Sequence, residues 1–336
     1  MQPCRNGYVS LGITLEEEYD RFVTVIGRPE LAVDPRFVDR AARADHRDEF
    51  DAEVEPFLSG HDAEEIVELL QANRIPCAKV ESVTGLLANP QLEARGYWGA
   101  GPMPGNPVRG APLGPSGRRG GLAGALVLDF TTFWAGPSAT RTLADLGADV
   151  VRIERPGSRV DVDSLDADPN RLVQDVFFHW KMNRGKRSAV IDLASERGRE
   201  VVRRLAARAD VVIENFRPGV MASFGLDAAS VAAVNPGIVY VSLSGMGATG
   251  PRAWWGSYGP TIEAASSIEH RTRYPGGPPL RLGHTLPDGV GGLAGALAVL
   301  RGLRLRAETG TGWYFDVAQL EAYAALSGED VLRVAG

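Results

Sequence analysis

The sequence predicts an α/β protein with a parallel, Rossmann-like sheet in a large domain and a smaller α+β domain before it. Two observations carry this. From Ala125 onward, short apolar runs alternate with helical patterns, as they do when each strand crosses back through a helix to a parallel neighbour. Those runs (ALVLDF, DVVRIE, DVVIEN, IVYVSLS) are apolar almost throughout rather than at every second residue, the pattern of strands buried on both faces. At 336 residues the chain has room for two cores.

Residues 8–13 read as a strand. Residues 15–26 read as a helix with Tyr19, Phe22, Val23 and Ile26 on one face. A turn-rich connector at 29–37 leads to charged helical sequence at 38–58 and a helix at 62–73 that Asp62 opens. IPCAKV (75–80) reads as a strand and 82–96 as a short helix, closing a small domain over 1–100. Residues 101–123 are dense in Gly and Pro, show no periodicity and read as a linker. In the large domain, 124–336, strands are expected at 125–130, 149–154, 188–193, 210–215, 238–244 and 312–318. Helices are expected at 138–148, 195–208, 219–233, 259–269 and 319–334.

The net charge of −6 argues against a nucleic-acid partner. No stretch is long and apolar enough for a membrane span, and the N-terminus has neither the basic nor the apolar region of a signal peptide. Cys4 and Cys77 cannot form a disulfide framework, and a reducing cytoplasm fits them. No His, Cys, Asp or Glu group has the spacing of a metal site, so no metal is expected.

The stretch GHTLPDGVGGLAGALAVLRGL (283–303) carries the strongest chemical signal. Asp288 stands where an extended run gives way to a long apolar helical pattern, and Asp in that place is an ordinary N-cap. Gly289, Gly291, Gly292 and Gly295 suggest more, since each helical glycine costs about 1 kcal/mol against alanine and several together imply a close approach to this backbone. A carboxylate there can act as a nucleophile toward an acyl group. Strand-end loops TTFWAGP, ERPGS, NFRPG and SGMGATGP lie where α/β sheets bind ligands. None is a GxGxxG or Walker A loop. Arg155 and Arg159, with Lys181, Arg184, Lys186 and Arg187, suggest an anionic ligand bearing phosphates, although most such residues are simply solvated or paired. Only His284 lies near Asp288 in sequence, and no nucleophile elbow accompanies it.

Six blocks in order, VLDFTTFWAGPSATRTLADLGADVVRIERPG, NRGKRSAVIDL, ADVVIENFRPGVMASFGL, NPGIVYVSLSGMGATGP, LPDGVGG and ETGTGWYFDVAQLEA, closely resemble the class III CoA-transferases, the CaiB/BaiF family. GYVSLG, IGRPELAVDPRF, RIPCAKVESV and NPQLEARGYW resemble that family's small domain. The resemblance implies that coenzyme A is bound as an acyl-CoA substrate and moved between carboxylic acids. Asp288 then matches the aspartate that forms an acyl anhydride and a CoA thioester. Arg155 matches an arginine beside the adenine. Ile191, Asn215 and Phe216 match residues lining the nucleotide site, and Phe133 and Trp134 match the loop beside the pantetheine and acyl group.

Two departures stand out. Family members place the large domain's strands first, whereas here the small-domain segment leads, and the family's glycine-rich loop upstream of GYVSLG is missing. The order suggests part of a tandem or rearranged transferase, acting as a homodimer or with the remainder of a tandem chain, with little turnover alone. Family racemases pair the aspartate with a histidine, and here WWGSYGP puts Ser257 at that position. This favours transfer over an α-methylacyl-CoA racemase; the other alternative, which the missing segments motivate, is a non-catalytic CoA-binding fragment of a tandem transferase.

Overall fold

The computed structural model describes residues 1–99, 101, 103–118, 120–157, 178–283 and 285–335. Arg159 and His284 lie outside the described residues. The chain forms two compact units. One comprises 1–105, 249–287 and 323–336, and the other comprises 106–248 and 288–322. The expected division at 101–123 therefore differs from the compact units, because 249–287 and 323–336 pack with the N-terminal residues rather than with the larger sheet.

In the first unit, strands β1 (Gln2–Cys4), β2 (Gly7–Leu11) and β3 (Cys77–Lys79) form an antiparallel sheet in that order. Tyr19, Phe22, Phe37, Leu58, Ile66 and Leu70 are buried with Val9 and Cys77 in its core. Local signals set the helix boundaries. At the start of the helix Ala63–Ala72 the Glu65 carboxylate reaches back to accept the Asp62 amide at 2.9 Å. The single helix expected at 82–96 is two, Val83–Leu87 and Pro90–Ala94. Asn89 caps the second through the Gln91 amide, and Pro90 stands at its first position, where a missing N–H costs nothing. The buried helix Gly259–Ala265 also belongs to this unit, where the Ala264 carbonyl accepts the Glu81 amide at 2.9 Å and Tyr258 donates to Glu18 at 2.9 Å.

Among the described residues, the second unit is built on seven strands: β4 (Val108–Pro115), β5 (Leu126–Asp129), β6 (Asp149–Glu154), β7 (Arg187–Val190), β8 (Val211–Glu214), β9 (Val239–Ser244) and β10 (Thr311–Ala318). Their order is β4-β10-β9-β8-β5-β6-β7. All neighbours are parallel except β4, which runs antiparallel to β10. Strand β4 corrects the reading of 101–123 as a structureless linker. Its Gly and Pro residues have packing reasons: a Cβ on Gly110 would fall 2.4 Å from the Phe315 ring, and Pro112 and Pro115 sit on an edge strand, where proline is tolerated.

Both faces of the sheet are covered. On one, Val127, Ile213, Val241 and Phe315 pack with Ala139 and Leu143 of the helix Ala135–Asp145 and with Val299 and Leu303 of the helix Leu286–Thr309. On the other, Leu128, Val212 and Tyr240 meet Val202 and Ala206 of Glu196–Ala206 and Val231 of Ala228–Val234. Arg306 is fully buried near the far end of the long helix. It holds Asp210 at 3.1 Å and donates to the Gly237 carbonyl. No helix among the described residues is long and apolar enough to cross a membrane.

Candidate functional site

Parallel pairing brings the ends of β5 to β10 to one edge of the second unit, the edge where such sheets bind ligands. Asp288 stands near it, in the first turn of the 24-residue helix Leu286–Thr309. The helix begins two residues before Asp288, so the carboxylate lies inside the first turn and is not the expected N-cap. A helix N-terminus favours a negative charge, yet burial prevails here and pushes the carboxyl up to about 7.

The glycines after Asp288 serve mainly to pack the helix. Asp288, Gly291, Gly292 and Gly295 fall at spacings of three, four and seven, one face of a helix. A Cβ on Gly292 would lie 2.8 Å from the Ala135 carbonyl oxygen and 2.9 Å from Ser138 Cβ. On Gly295 it would meet Leu243 at 3.1 Å, and on Gly291 the Gln319 Cγ at 2.7 Å. The close approach expected at this backbone is thus made by the protein itself at three of the four positions. Gly289 differs, because a Cβ there would meet nothing within 4 Å.

The loop after β5 is held from below and from one side. The Asp129 carboxylate accepts the Thr131 amide at 2.8 Å, its hydroxyl at 2.6 Å and the Thr140 hydroxyl at 2.7 Å. Lys186 Nζ stands 3.0 Å from it, and both side chains are buried. Burial pulls the Lys186 ammonium below its ordinary value, and the Asp129 charge opposes the shift. Asn215, at the end of β8, accepts the Thr132 amide and donates to the Thr132 carbonyl, both at 2.8 Å. That two-point bond ties the ends of β5 and β8 and presents Phe133, an exposed side chain on a left-handed backbone (φ 61°), beside Trp134 at the helix start.

The other candidate cofactor residues lie at the same edge. Arg155 is exposed directly after β6. Ile191 follows β7, donates its amide to the Glu154 carbonyl and packs partly buried on the Leu128 face with Phe216. The Phe216 amide donates to Glu214 at 2.8 Å. The basic segment 181–187 is less available than its sequence suggests. Lys186 is committed to Asp129, Arg184 to Asp145 at 2.8 Å and Arg187 to Asp149. Ser257 belongs to the first unit, partly buried in the loop before Gly259–Ala265.

Sequence reasoning missed three features. Asp129 and Lys186 form a buried ion pair, and the only trace of it is an acidic residue closing the apolar run LVLD. Glu214, Ser242 and Asp316 stand in register on three adjacent strands. Burial raises Glu214 to about 7, with hydrogen bonds from Ser242 and the Phe216 amide opposing and the Asp316 charge adding to the rise. Gln319, nine-tenths buried after β10, has a side-chain oxygen with no hydrogen-bond partner among the described residues.

The model of the family described as CoA-transferase family III matches residues 1–118 and 122–335. An acetyl-CoA:oxalate CoA-transferase of Acetobacter aceti is 38% identical over 212 residues, which are 63% of this chain and 54% of that protein. A succinyl-CoA:glutarate CoA-transferase of Mus musculus is 35% identical over 204 residues, 61% of this chain and 46% of that one. Among solved structures, a CaiB/BaiF family protein from Brucella suis superposes with a TM-score of 0.58 at 35% identity, covering 64% of this chain and 57% of that one. The chain spans about half the length of the curated relatives it matches.

Proposed function

Because the chain belongs to CoA-transferase family III, we propose that it transfers coenzyme A between carboxylic acids through Asp288. The observation that carries this reading is a largely buried carboxyl in the first turn of a helix, which burial pushes up to about 7. Poor solvation makes the ionised carboxylate a better nucleophile, and the unbonded amides of a first helical turn favour the oxyanion formed when it reacts.

The proposed reaction has four balanced steps. An Asp288 oxygen attacks the thioester carbonyl, the C–S bond breaks, and CoA leaves as a thiolate from the mixed anhydride. The thiolate attacks the Asp288 acyl carbon, releasing the first acid as a carboxylate and leaving an aspartyl-CoA thioester. The acceptor carboxylate attacks that thioester and expels the thiolate, giving a second anhydride. The thiolate then attacks the acceptor's acyl carbon, which yields the new acyl-CoA and restores the Asp288 carboxylate.

In this reading Arg155 lies beside the adenine, and Ile191, Asn215 and Phe216 line the nucleotide site. Phe133 and Trp134 cover the pantetheine and acyl group. The names of the relatives support short carboxylates such as oxalate or glutarate as the acid class. The proposed setting is the cytoplasm, and the proposed assembly is a homodimer or a complex with the remainder of a tandem chain. Incubation with acetyl-CoA or succinyl-CoA followed by hydroxylamine should convert Asp288 to a hydroxamate detectable by peptide mass spectrometry. Asp288→Asn should abolish both this modification and CoA exchange; full exchange by that variant would reduce the carboxylate to a structural role.

A further inference from the structure

Gln319 is the first residue after β10, and its side chain is buried with an unsatisfied oxygen. An unpaired amide oxygen away from water is costly, so its position calls for an explanation. Its contacts supply the direction. Phe315 and Val317 face the core beneath the helix Leu286–Thr309, and Gln319 opens the next helix, Gln319–Ala324, with its side chain against Gly291 of that same long helix. Its Cγ and Oε1 fill the space a side chain on Gly291 would take, at 2.7 and 3.2 Å from the Cβ position. A helical side chain leans toward the N-terminus and covers the turn before its own Cα. The space left by Gly291 is therefore over the turn that carries Asp288, three residues earlier on the same face.

We propose that Gln319 is the positioning residue for Asp288: its carboxamide occupies the slot opened by Gly291 and hydrogen-bonds the Asp288 carboxyl, leaving the other carboxyl oxygen to react. This rests on the reading of Asp288 as the reacting carboxylate. A carboxamide suits the task because it can serve both protonation states. Turned one way, its N–H donates to the carboxylate; turned the other, its oxygen accepts from the carboxylic acid. The bond to the charged form is the stronger of the two, so Gln319 holds the carboxylate form against the burial that opposes it. The arrangement also explains Gly291, since any larger residue there would displace the amide.

The test needs no turnover. In protein labelled at the aspartate carboxyl carbons, the carbon-13 resonance lost in Asp288→Asn identifies Asp288, and its titration gives the midpoint, expected at about 7 in the wild type. Gln319→Met keeps most of the volume but removes the bond, and should raise the midpoint by about half to one unit. Gln319→Glu keeps the shape and adds a like charge, and should raise it by more than about one unit. If Gln319→Met fails to fold, the Glu variant still reads the proximity. Midpoints equal to the wild type in the folded variants would overturn the proposal. Because titration does not depend on acyl transfer, the fate of the nucleophile reading is decided separately by hydroxylamine trapping.

Discussion

Replacing Asp288 by asparagine should stabilise the protein, and the gain should depend on pH. Burial raises this carboxyl from its ordinary value of 3.8 to about 7. Between those values the folded state holds a proton that the unfolded state has lost. For this group, stability is therefore greatest below about 4 and declines as pH rises toward 7, where the loss levels off. The shift is about 3 units at about 1.4 kcal/mol each, giving an upper bound of roughly 4 kcal/mol. Because Asp288 is partly accessible, local relaxation and water reduce the realised cost to roughly 1–3 kcal/mol. Asparagine has nearly the same shape and never ionises. Each kcal/mol moves the melting temperature by roughly 2–4 °C in a unit of this size. Thermal melts at pH 4.5 and pH 8.5 should show near-equal stability of wild type and Asp288→Asn at the lower pH. At the higher pH the variant should melt several degrees above the wild type. A difference in melting temperature that is the same at both pH values would refute the reasoning, because only a charge kept from solvent produces the pH dependence.

Three further outcomes follow from the geometry. Gly292→Ala should destabilise by roughly 1–3 kcal/mol in urea unfolding, since its Cβ would press on the Ala135 carbonyl and Ser138, whereas Gly289→Ala should stabilise by up to about 1 kcal/mol; equal effects would show that the glycine face does not set the helix packing. Lys186→Met leaves Asp129 buried without its cation and should cost roughly 3–5 kcal/mol, with much of that recovered on adding Asp129→Asn, and an unchanged urea midpoint in the single variant would contradict the buried pair. Arg155 is exposed, so Arg155→Ala should leave the melting temperature within about 1 °C while raising KM for the CoA substrate; a lower melting temperature with KM unchanged would assign it to the fold.

The parallel core was readable because β5, β8 and β9 are apolar almost throughout, and because helical patterns follow β5 and β8, where the helices Ala135–Asp145 and Ala228–Val234 stand. Strand β4 escaped notice because VRGAPLGP carries the residues of a loop. Its reasons lie across the sheet, where Gly110 accommodates the Phe315 ring and β10 supplies the pairing. No local pattern encodes a partner two hundred residues away. The return of 249–287 to the first unit was hidden for a related reason: the helix Gly259–Ala265 is buried almost all round, Thr261 and Glu263 included, so no exposed face reveals which core it joins. The glycines after Asp288 were legible as a close approach to this backbone, but their meaning changed once the structure set Ala135, Ser138 and Leu243 against them. Lys186 illustrates the opposite error, because within a basic run nothing marks the one cation that turns inward to a buried carboxylate.

Strand β4 has a practical bearing on how the sheet can be isolated. It is the outermost strand on its side, and it alone covers the free backbone groups of β10. A fragment started at the first apolar strand, near residue 124, would leave an eight-residue parallel strand unpaired along one side, with the Phe315 ring missing the backbone that packs on it. Exposed edges of that kind recruit other chains, so such a fragment would be lost to inclusion bodies for reasons unrelated to its chemistry. An expression boundary placed before Asn106 keeps the guard strand, and the poorest-looking stretch of the sequence then decides whether the sheet remains soluble.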